Sequence, residues 1–368
     1  MKPSTRLPFG AALSACALAL GGCEQALEAL PTQVEEPSAP QSPRTADLLP
    51  GDEAFDDLLE AFDVPGMGFA TLTKCEVDRA RSVGLANVET SERVTNNTAF
   101  EAASLSKPVF AYLVLQLVDE GIIDLDAPLA PFPYPRITDQ DAFAEITPRM
   151  ILTHRTGLPN WSGDSQDETR TDPIAFRSAP GETHSYSGEA FELLRAYVVA
   201  KTEMSLHELF VDRLGDAMPN SSFNGRLRGE AKPSRGYRSS RDASSGRDLY
   251  LIPHETGAAW GLITTASDYA AFLSEVCKAD VLSPGTQADM LRPQAPLPRG
   301  EMPGPAAYGL GWVIFELGSE TIVNHSGNND EYRAFTAYLP ETGEGYVFLT
   351  NGRNGEDMIG AIMQSTAP

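Results

Sequence analysis

Glu101-Ala-Ala-Ser104-Leu-Ser-Lys107-Pro108 is the stretch on which the reading of this chain turns. It opens a strongly apolar run, Val109-Phe-Ala-Tyr-Leu-Val-Leu-Gln-Leu-Val118, which predicts a helix. Residues three apart share one face of a helix, so Ser104 and Lys107 project together from its N-terminus. Pro108 suits that placement, because first-turn N–H groups have no partner inside the helix and a missing one costs little. A hydroxyl beside an amine at a helix start is a candidate nucleophile with its own base. Taken alone, the same four residues read more simply as an N-cap serine followed by a solvated lysine.

Working outward, residues 54–62 carry apolar side chains at helical spacing, and residues 66–73 and 80–88 read as a hairpin of two strands. Helical patterns then dominate over 189–201, 205–214, 266–279 and 284–291. Strand patterns return at 310–316, 320–323, 332–339 and 346–350, and 358–363 reads as a closing helix. Strands at both ends with helices between them predict an α/β chain of the α+β type: an antiparallel β-sheet flanked by helices, with an inserted all-helical lobe. The sheet lobe is expected at about 51–104 plus 305–366, and the helical lobe at about 105–304. Ser104 falls where the chain passes from one to the other, and ligand sites favour such seams.

The chain has 368 residues and a formal net charge of −23. No basic field exists to attract phosphate, so a nucleic-acid partner is excluded. Lys2 and Arg6 precede an uncharged run from Leu7 to Cys23 that ends Leu20-Gly21-Gly22-Cys23. This predicts a lipoprotein signal peptide over 1–22, with a lipid on Cys23 and a protein anchored to a bacterial membrane, facing the periplasm or cell surface. Residues 23–50, with Pro31, Pro37, Pro40, Pro43 and Pro50, read as a tether. Cys16 leaves with the signal. Cys75, in an expected strand, and Cys277, in an expected helix, then form either one disulfide or two buried thiols, and the sequence leaves both open. Residues 223–248 hold seven cations against three acids. They read first as a mobile, solvated loop, and second as a patch for an anionic wall polymer or lipid surface.

Three further segments bear chemistry. Pro180-Gly181-Glu182-Thr-His-Ser-Tyr186-Ser-Gly188 is a turn leading into a helix, with a tyrosine placed to point into a cleft or to pack. Asn324-His325-Ser326-Gly327-Asn328-Asn329 reads on its own as a hairpin turn with a surface histidine. His154, in a turn bounded by Gly157 and Pro159, reads as a structural hydrogen-bonder. The chain has no His-Glu-x-x-His and no Cys-x-x-Cys, so neither metal nor cofactor is expected. It has no Gly-x-Ser-x-Gly elbow and no phosphate-binding Gly-x-x-x-x-Gly-Lys.

In order, Ser104-Leu-Ser-Lys107, Tyr186-Ser-Gly188 and His325-Ser-Gly327 resemble the three motifs of the serine β-lactamase and penicillin-binding-protein superfamily, class C-like branch. That branch includes D,D-carboxypeptidases, D-aminopeptidases and esterases. Connectors such as Leu152-Thr-His-Arg-Thr-Gly-Leu-Pro159 and Tyr308-Gly-Leu-Gly-Trp312 are similar too, and the resemblance makes 51–366 one hydrolase domain. It implies that Ser104 accepts the acyl group and that Lys107 takes its proton. Tyr186 would serve as a depressed-pKa base or a proton relay, and the backbone N–H groups of Ser104 and Asn328, beside Gly327, would hold the oxyanion.

Two positions depart from the pattern. The second motif usually ends in Asn, and here it ends in Gly188. The third usually begins with Lys in true β-lactamases and transpeptidases, and here it begins with His325, a side chain mostly neutral at pH 7. Both departures weaken the grip on a β-lactam or a carboxylate. The expectation is an envelope serine hydrolase that cleaves a small ester, amide or peptide through a Ser104 acyl-enzyme. The alternatives are a β-lactamase or D,D-carboxypeptidase and, in another class, a catalytically silent lipoprotein that binds peptidoglycan.

Overall fold

The structure, a computed structural model, describes residues 52–365 apart from 165, 166, 168, 256, 299–304 and 319. The expected signal peptide, Cys23 and the tether lie outside the described residues. Helix α1 (Asp52–Ala61) leads into strands β1 (Gly66–Thr73), β2 (Glu76–Asn87), β3 (Glu92–Arg93) and β4 (Thr98–Glu101). A 3-10 turn, Ala103–Leu105, opens helix α2 (Ser106–Asp119). Helices α3 (Gln140–Phe143), α4 (Pro148–Leu152), α5 (Gly188–Thr202) and α6 (Leu206–Leu214) follow. Short strands β5 (Lys232–Pro233), β6 (Arg235–Tyr237), β7 (Gly246–Asp248) and β8 (Ile263–Thr264) precede helices α7 (Ala266–Lys278) and α8 (Pro284–Met290). The chain closes with β9 (Ala295–Pro296), β10 (Ala306–Tyr308), β11 (Val313–Leu317), β12 (Glu320–Asn329), β13 (Tyr332–Leu339), β14 (Glu344–Thr350) and helix α9 (Gly355–Ser365).

Nine strands make one sheet in the order β3-β2-β1-β14-β13-β12-β11-β10-β9. Every neighbouring pair in it is antiparallel. The two ends of the chain meet at the β1–β14 pair, where Phe69 lies opposite Phe348. Side chains alternate between the faces of a strand. Met67 and Phe69 join Phe55, Leu59, Met358 and Ile362 in a layer under α1 and α9. Ala70 and Leu72 face the main core with Leu105, Phe110 and Leu273. Helix α2 is buried continuously from Ser106 to Leu117, as a helix apolar on all sides must be. Each large apolar side chain buried there contributes roughly 1.5–3 kcal/mol.

The structure revises several expectations. Residues 324–329 are not a hairpin turn. They are the second half of β12, paired with β13 as far as Asn329 opposite Tyr332. The apolar alternation that marks a strand is missing there, because Ser326 and Asn328 are exposed and the intervening Gly327 carries no side chain. Cys75 lies in the β1–β2 turn with φ +62° and is disulfide-bonded to Cys277 of α7. Helix α7 belongs to the span between the terminal strands yet packs on β1, β2 and β14, and that span also carries β5 to β8.

The cation-rich segment 223–248 is not a loose loop, because ion pairs and hydrogen bonds hold it. Arg235 pairs with Glu89 and Asp248, and Arg238 with Glu331. Arg247 bridges Glu101 and Glu331. Arg228 donates to the carbonyls of Gly215 and Met218.

Candidate active site

Ser104 sits at the middle of the 3-10 turn, half-buried between the fully buried Ala103 and Leu105. The turn is held from several sides. Ala102 N–H donates to Leu262 O at 2.9 Å, and Tyr269 hydroxyl donates to Leu105 O at 3.1 Å. Ser106 Oγ donates to Ala103 O at 2.6 Å and accepts from Leu262 N–H at 2.9 Å. Ala103 takes a left-handed conformation, φ +51°, which a non-glycine residue adopts only when its surroundings impose it. These contacts fix the direction in which the hydroxyl points.

One turn on, Lys107 is buried to 1% exposure. Its Nζ lies 3.2 Å from Ser104 Oγ and donates to Ala259 O at 2.8 Å. Aromatic rings enclose the rest of it: Nζ lies 4.6 Å from the centroid of Tyr186 and 5.5 Å from that of Phe191. Burial disfavours the charged amine and lowers its pKa to about 7, although the charge of Glu192 pulls the other way. Near neutral pH the amine is therefore able to shed its proton, and its uncharged form faces Ser104 Oγ across the same 3.2 Å contact.

Tyr186 immediately precedes Ser187, whose side chain caps α5 by accepting from Ala190 N–H. The phenol is hydrogen-bonded to Ser104, and burial pushes its pKa well above the usual tyrosine value. A raised pKa weighs against the depressed-pKa base, one of the two roles that the resemblance implied. His154 is the structural hydrogen-bonder expected. Its ring packs 4.3 Å from that of Tyr186, and its Nδ1 accepts from Ser187 N–H at 3.0 Å. Desolvation keeps it neutral, well below the usual histidine range.

His325 is buried rather than on the surface. Its Nδ1 donates to Ser326 O at 2.7 Å, so Nε2 is the acceptor of a hydrogen bond from the Tyr308 hydroxyl at 3.1 Å. Burial and the neighbouring Lys107 lower its pKa to about 3. The third motif therefore supplies no positive charge at neutral pH. Gly327 lets β12 approach the Ser104 turn, because a Cβ there would lie 2.4 Å from Ala102 O and 3.2 Å from Ala103 Cβ. The side chain of Asn328 points the other way and accepts from Asp330 N–H at 3.0 Å.

The structure thus gathers Ser104, Lys107, Tyr186, His325 and Gly327 around one seam. Four contributors were not read from the sequence. Glu192 of α5 is buried, and its carboxylate accepts from Gly257 N–H at 3.1 Å and Ala259 N–H at 3.2 Å. Tyr308 donates its hydroxyl to Nε2 of His325. Glu101 ties the end of β4 to Arg247 and to Asn329 Nδ2 at 2.9 Å. Trp161 fills the space beside Gly188. Glu189 and Glu192, two acids among the apolar residues that open α5, were the one visible signal.

A cavity of about 560 Å³ lies on the opposite face of the sheet, lined by Phe315, Phe335, Ile359 and Met363, and does not include Ser104. Chemistry, not volume, locates the site.

The beta-lactamase family model matches residues 52–364, and the chain belongs to that family. Among its relatives, penicillin-binding protein 4 of Amycolatopsis lactamdurans is 24% identical over 82% of this chain and 84% of that protein. Esterase EstB of Burkholderia gladioli is 34% identical over 30% of this chain and 29% of its own. The solved D-alanine carboxypeptidase AmpC of Burkholderia cenocepacia superposes with a TM-score of 0.67 at 19% identity, over 85% of this chain and 97% of that one. The similarity of structure extends to the fold.

Proposed function

We propose that this protein is a serine hydrolase of small, uncharged esters or amides that works through an acyl-enzyme on Ser104. The observation that carries the reading is the 3.2 Å contact between Ser104 Oγ and Lys107 Nζ, an amine whose pKa burial lowers to about 7. Ser104 Oγ attacks the carbonyl carbon and gives its proton to Lys107. The tetrahedral oxyanion is held by the backbone N–H groups of Ser104 and Asn328. The carbonyl re-forms as the leaving group departs with a proton passed through Tyr186. Water then attacks the acyl-enzyme, loses a proton to the same pair and releases the acid.

A neutral His325 offers a substrate carboxylate no cation, which weighs against β-lactams and D,D-peptides. The Leu20-Gly21-Gly22-Cys23 sequence and the Cys75–Cys277 disulfide support export to an oxidising envelope compartment, with Cys23 as the lipid anchor. Pairing of the 223–248 cations weighs against a wall-polymer binding role.

A fluorophosphonate probe tests the central claim. The wild type should be labelled and Ser104→Ala should not. Equal labelling of both, or no labelling of folded wild type, overturns the reading. Turnover of nitrocefin well above that of p-nitrophenyl acetate would move the assignment to a β-lactamase.

A further inference from the structure

Gly188 opens α5 two residues after Tyr186. A Cβ on it would lie 2.3 Å from Trp161 Cζ2 and 2.4 Å from Cη2 of the same ring. The indole already occupies the space into which any side chain at 188 would project. That direction is set by the helix. Residues three and four further on share the face of Gly188, and these are Phe191, 5.5 Å from Lys107 Nζ, and Glu192, which holds the Ala259 loop. The missing side chain therefore points toward the Lys107 side, and Trp161 stands there in its place. Trp161 is half-buried, packed against the edge of the main core with the Arg170 guanidinium 5.7 Å from its ring centroid, so it stands as wall at the margin of that core.

The ring is held in position by its neighbours. Asn160 O accepts from both Gly188 N–H and Glu189 N–H at 3.0 Å. Ser162 N–H donates to the buried carboxylate of Glu189 at 2.9 Å, and Arg136 donates to Ser162 O at 2.9 Å. Ser187 Oγ donates to Pro159 O at 2.7 Å. The residues on either side of Trp161 are bonded to successive residues at the start of α5. A wall built this way is preorganised, and preorganised aromatic surface binds apolar groups at small entropic cost.

We infer that Trp161, admitted by Gly188, is a specificity-determining residue that packs against an alkyl or aryl group of the substrate, making the site selective for apolar esters over polar or acylamido ones. The inference rests on the hydrolase reading and names the substrate class for that same site. A methylene accommodated in an apolar pocket changes discrimination by roughly 10-fold or more.

The test is kcat/KM for two p-nitrophenyl or alkyl ester series. One lengthens the acyl group from acetate to hexanoate, and the other lengthens the alcohol on a fixed acetyl group. Wild type should favour the longer member at least about 10-fold in one series, and which series responds tells which half of the substrate the indole meets. Trp161→Ala should bring that ratio to near unity, chiefly through KM, and Trp161→Phe should retain part of it. Gly188→Ala, which pushes the ring aside without deleting it, should also lower the ratio. Should Trp161→Ala fail to fold, the other two variants decide.

A wild type with no preference in either series, or a preference unchanged in the variants, overturns the inference while the hydrolase reading stands. A folded wild type that turns over no ester and takes no fluorophosphonate overturns the hydrolase reading, and the inference with it.

Discussion

Glu192 and Lys107 meet through a single residue: the carboxylate of one holds the backbone N–H of Ala259, and the carbonyl oxygen of that residue accepts from Nζ of the other at 2.8 Å. The link is both mechanical and electrostatic. The negative charge of Glu192 raises the proton affinity of Lys107, against the burial that lowers it. Glu192→Gln keeps an acceptor for the loop and removes the charge, so burial then acts unopposed. The acid limb of the kcat/KM profile should move to lower pH in this variant. Glu192→Ala, which also frees the loop, should lower kcat as well. An acid limb that stays in place or moves up would show that the carboxylate does not act on the amine.

Lys107 itself should set that limb. As pH rises through about 7 the amine loses its proton and becomes able to receive one from Ser104, so kcat/KM should climb through that point and level off. Lys107→Arg places a guanidinium at the site that stays charged at any working pH. Acylation should fall by about 10³-fold, within the range general-base removal produces. Tyr186→Phe should lower kcat by about 10²-fold and leave the acid limb where it is, because the buried phenol stays protonated across the neutral range. Single-turnover acylation measured against pH checks all three. A Tyr186→Phe limb that moves with the substitution would assign the titration to the phenol instead.

The same lysine leaves a signature in stability. In the unfolded chain its proton is held up to the ordinary value of 10.5, and in the folded protein only to about 7. Between those limits the unfolded state binds more protons, so stability rises with pH across the window. The Tm of wild type minus that of Lys107→Met should therefore increase from pH 7 toward pH 10. A flat difference would mean that the folded-state amine titrates like a solvated one.

Gly327 brings β12 close against the turn that carries Ser104. Gly327→Ala puts a methyl 2.4 Å from Ala102 O, and backbone on both sides means neither can simply rotate away. The strand should move outward and carry the Asn328 N–H with it. Loss of one oxyanion donor costs about 10²–10³ in kcat, and the strain should cost about 1–3 kcal/mol in stability. Ester hydrolysis and urea unfolding of the variant measure the two effects. Wild-type kcat with a lowered Tm would remove Asn328 from the oxyanion site.

Ser104 and Lys107 were legible as a pair because their relationship is local, a helix start fixing residues three apart, and Tyr186, distant in sequence, was joined to them by the resemblance to an ordered set of three motifs. Six strands of the antiparallel sheet were legible because strand patterns cluster at the two ends of the chain, whereas β3, β9 and β10, two or three residues long, carry no periodicity to read. His325 was misplaced into a turn because the inward positions of its strand face a cleft instead of the core and lack apolar side chains. Glu192, Tyr308 and Trp161 were missed because their roles depend on contacts far apart in sequence, such as Trp161 against Gly188 and Glu192 against the 257–259 loop. No periodicity encodes those contacts. The cation-rich segment 223–248 misled for the same reason, since Glu89, Glu101 and Glu331, the acids that pair with it, lie elsewhere in the chain.

The Cys75–Cys277 bond is another such relationship, across a sequence separation of 202. It fastens the β1–β2 turn to the last turn of α7, where Lys278 also pairs with Glu76 at 2.8 Å. That exposed ion pair alone is worth at most about 1 kcal/mol, whereas losing a disulfide that closes a long loop typically costs about 2–5 kcal/mol. Cys75→Ser combined with Cys277→Ser should therefore lower Tm by several degrees. The effect on the site should be small, because α7 reaches the Ser104 turn through Tyr269, two helical turns away from Cys277, and the Tyr269–Leu105 hydrogen bond does not depend on the bridge. Thermal unfolding and kcat/KM at 25 °C, each measured with and without reductant on wild type, separate the two effects. An unchanged Tm would show that packing of α7 on β1, β2 and β14 already holds the turn in place. A lost kcat/KM at full folding would show that the bridge reaches Ser104 through α7 after all.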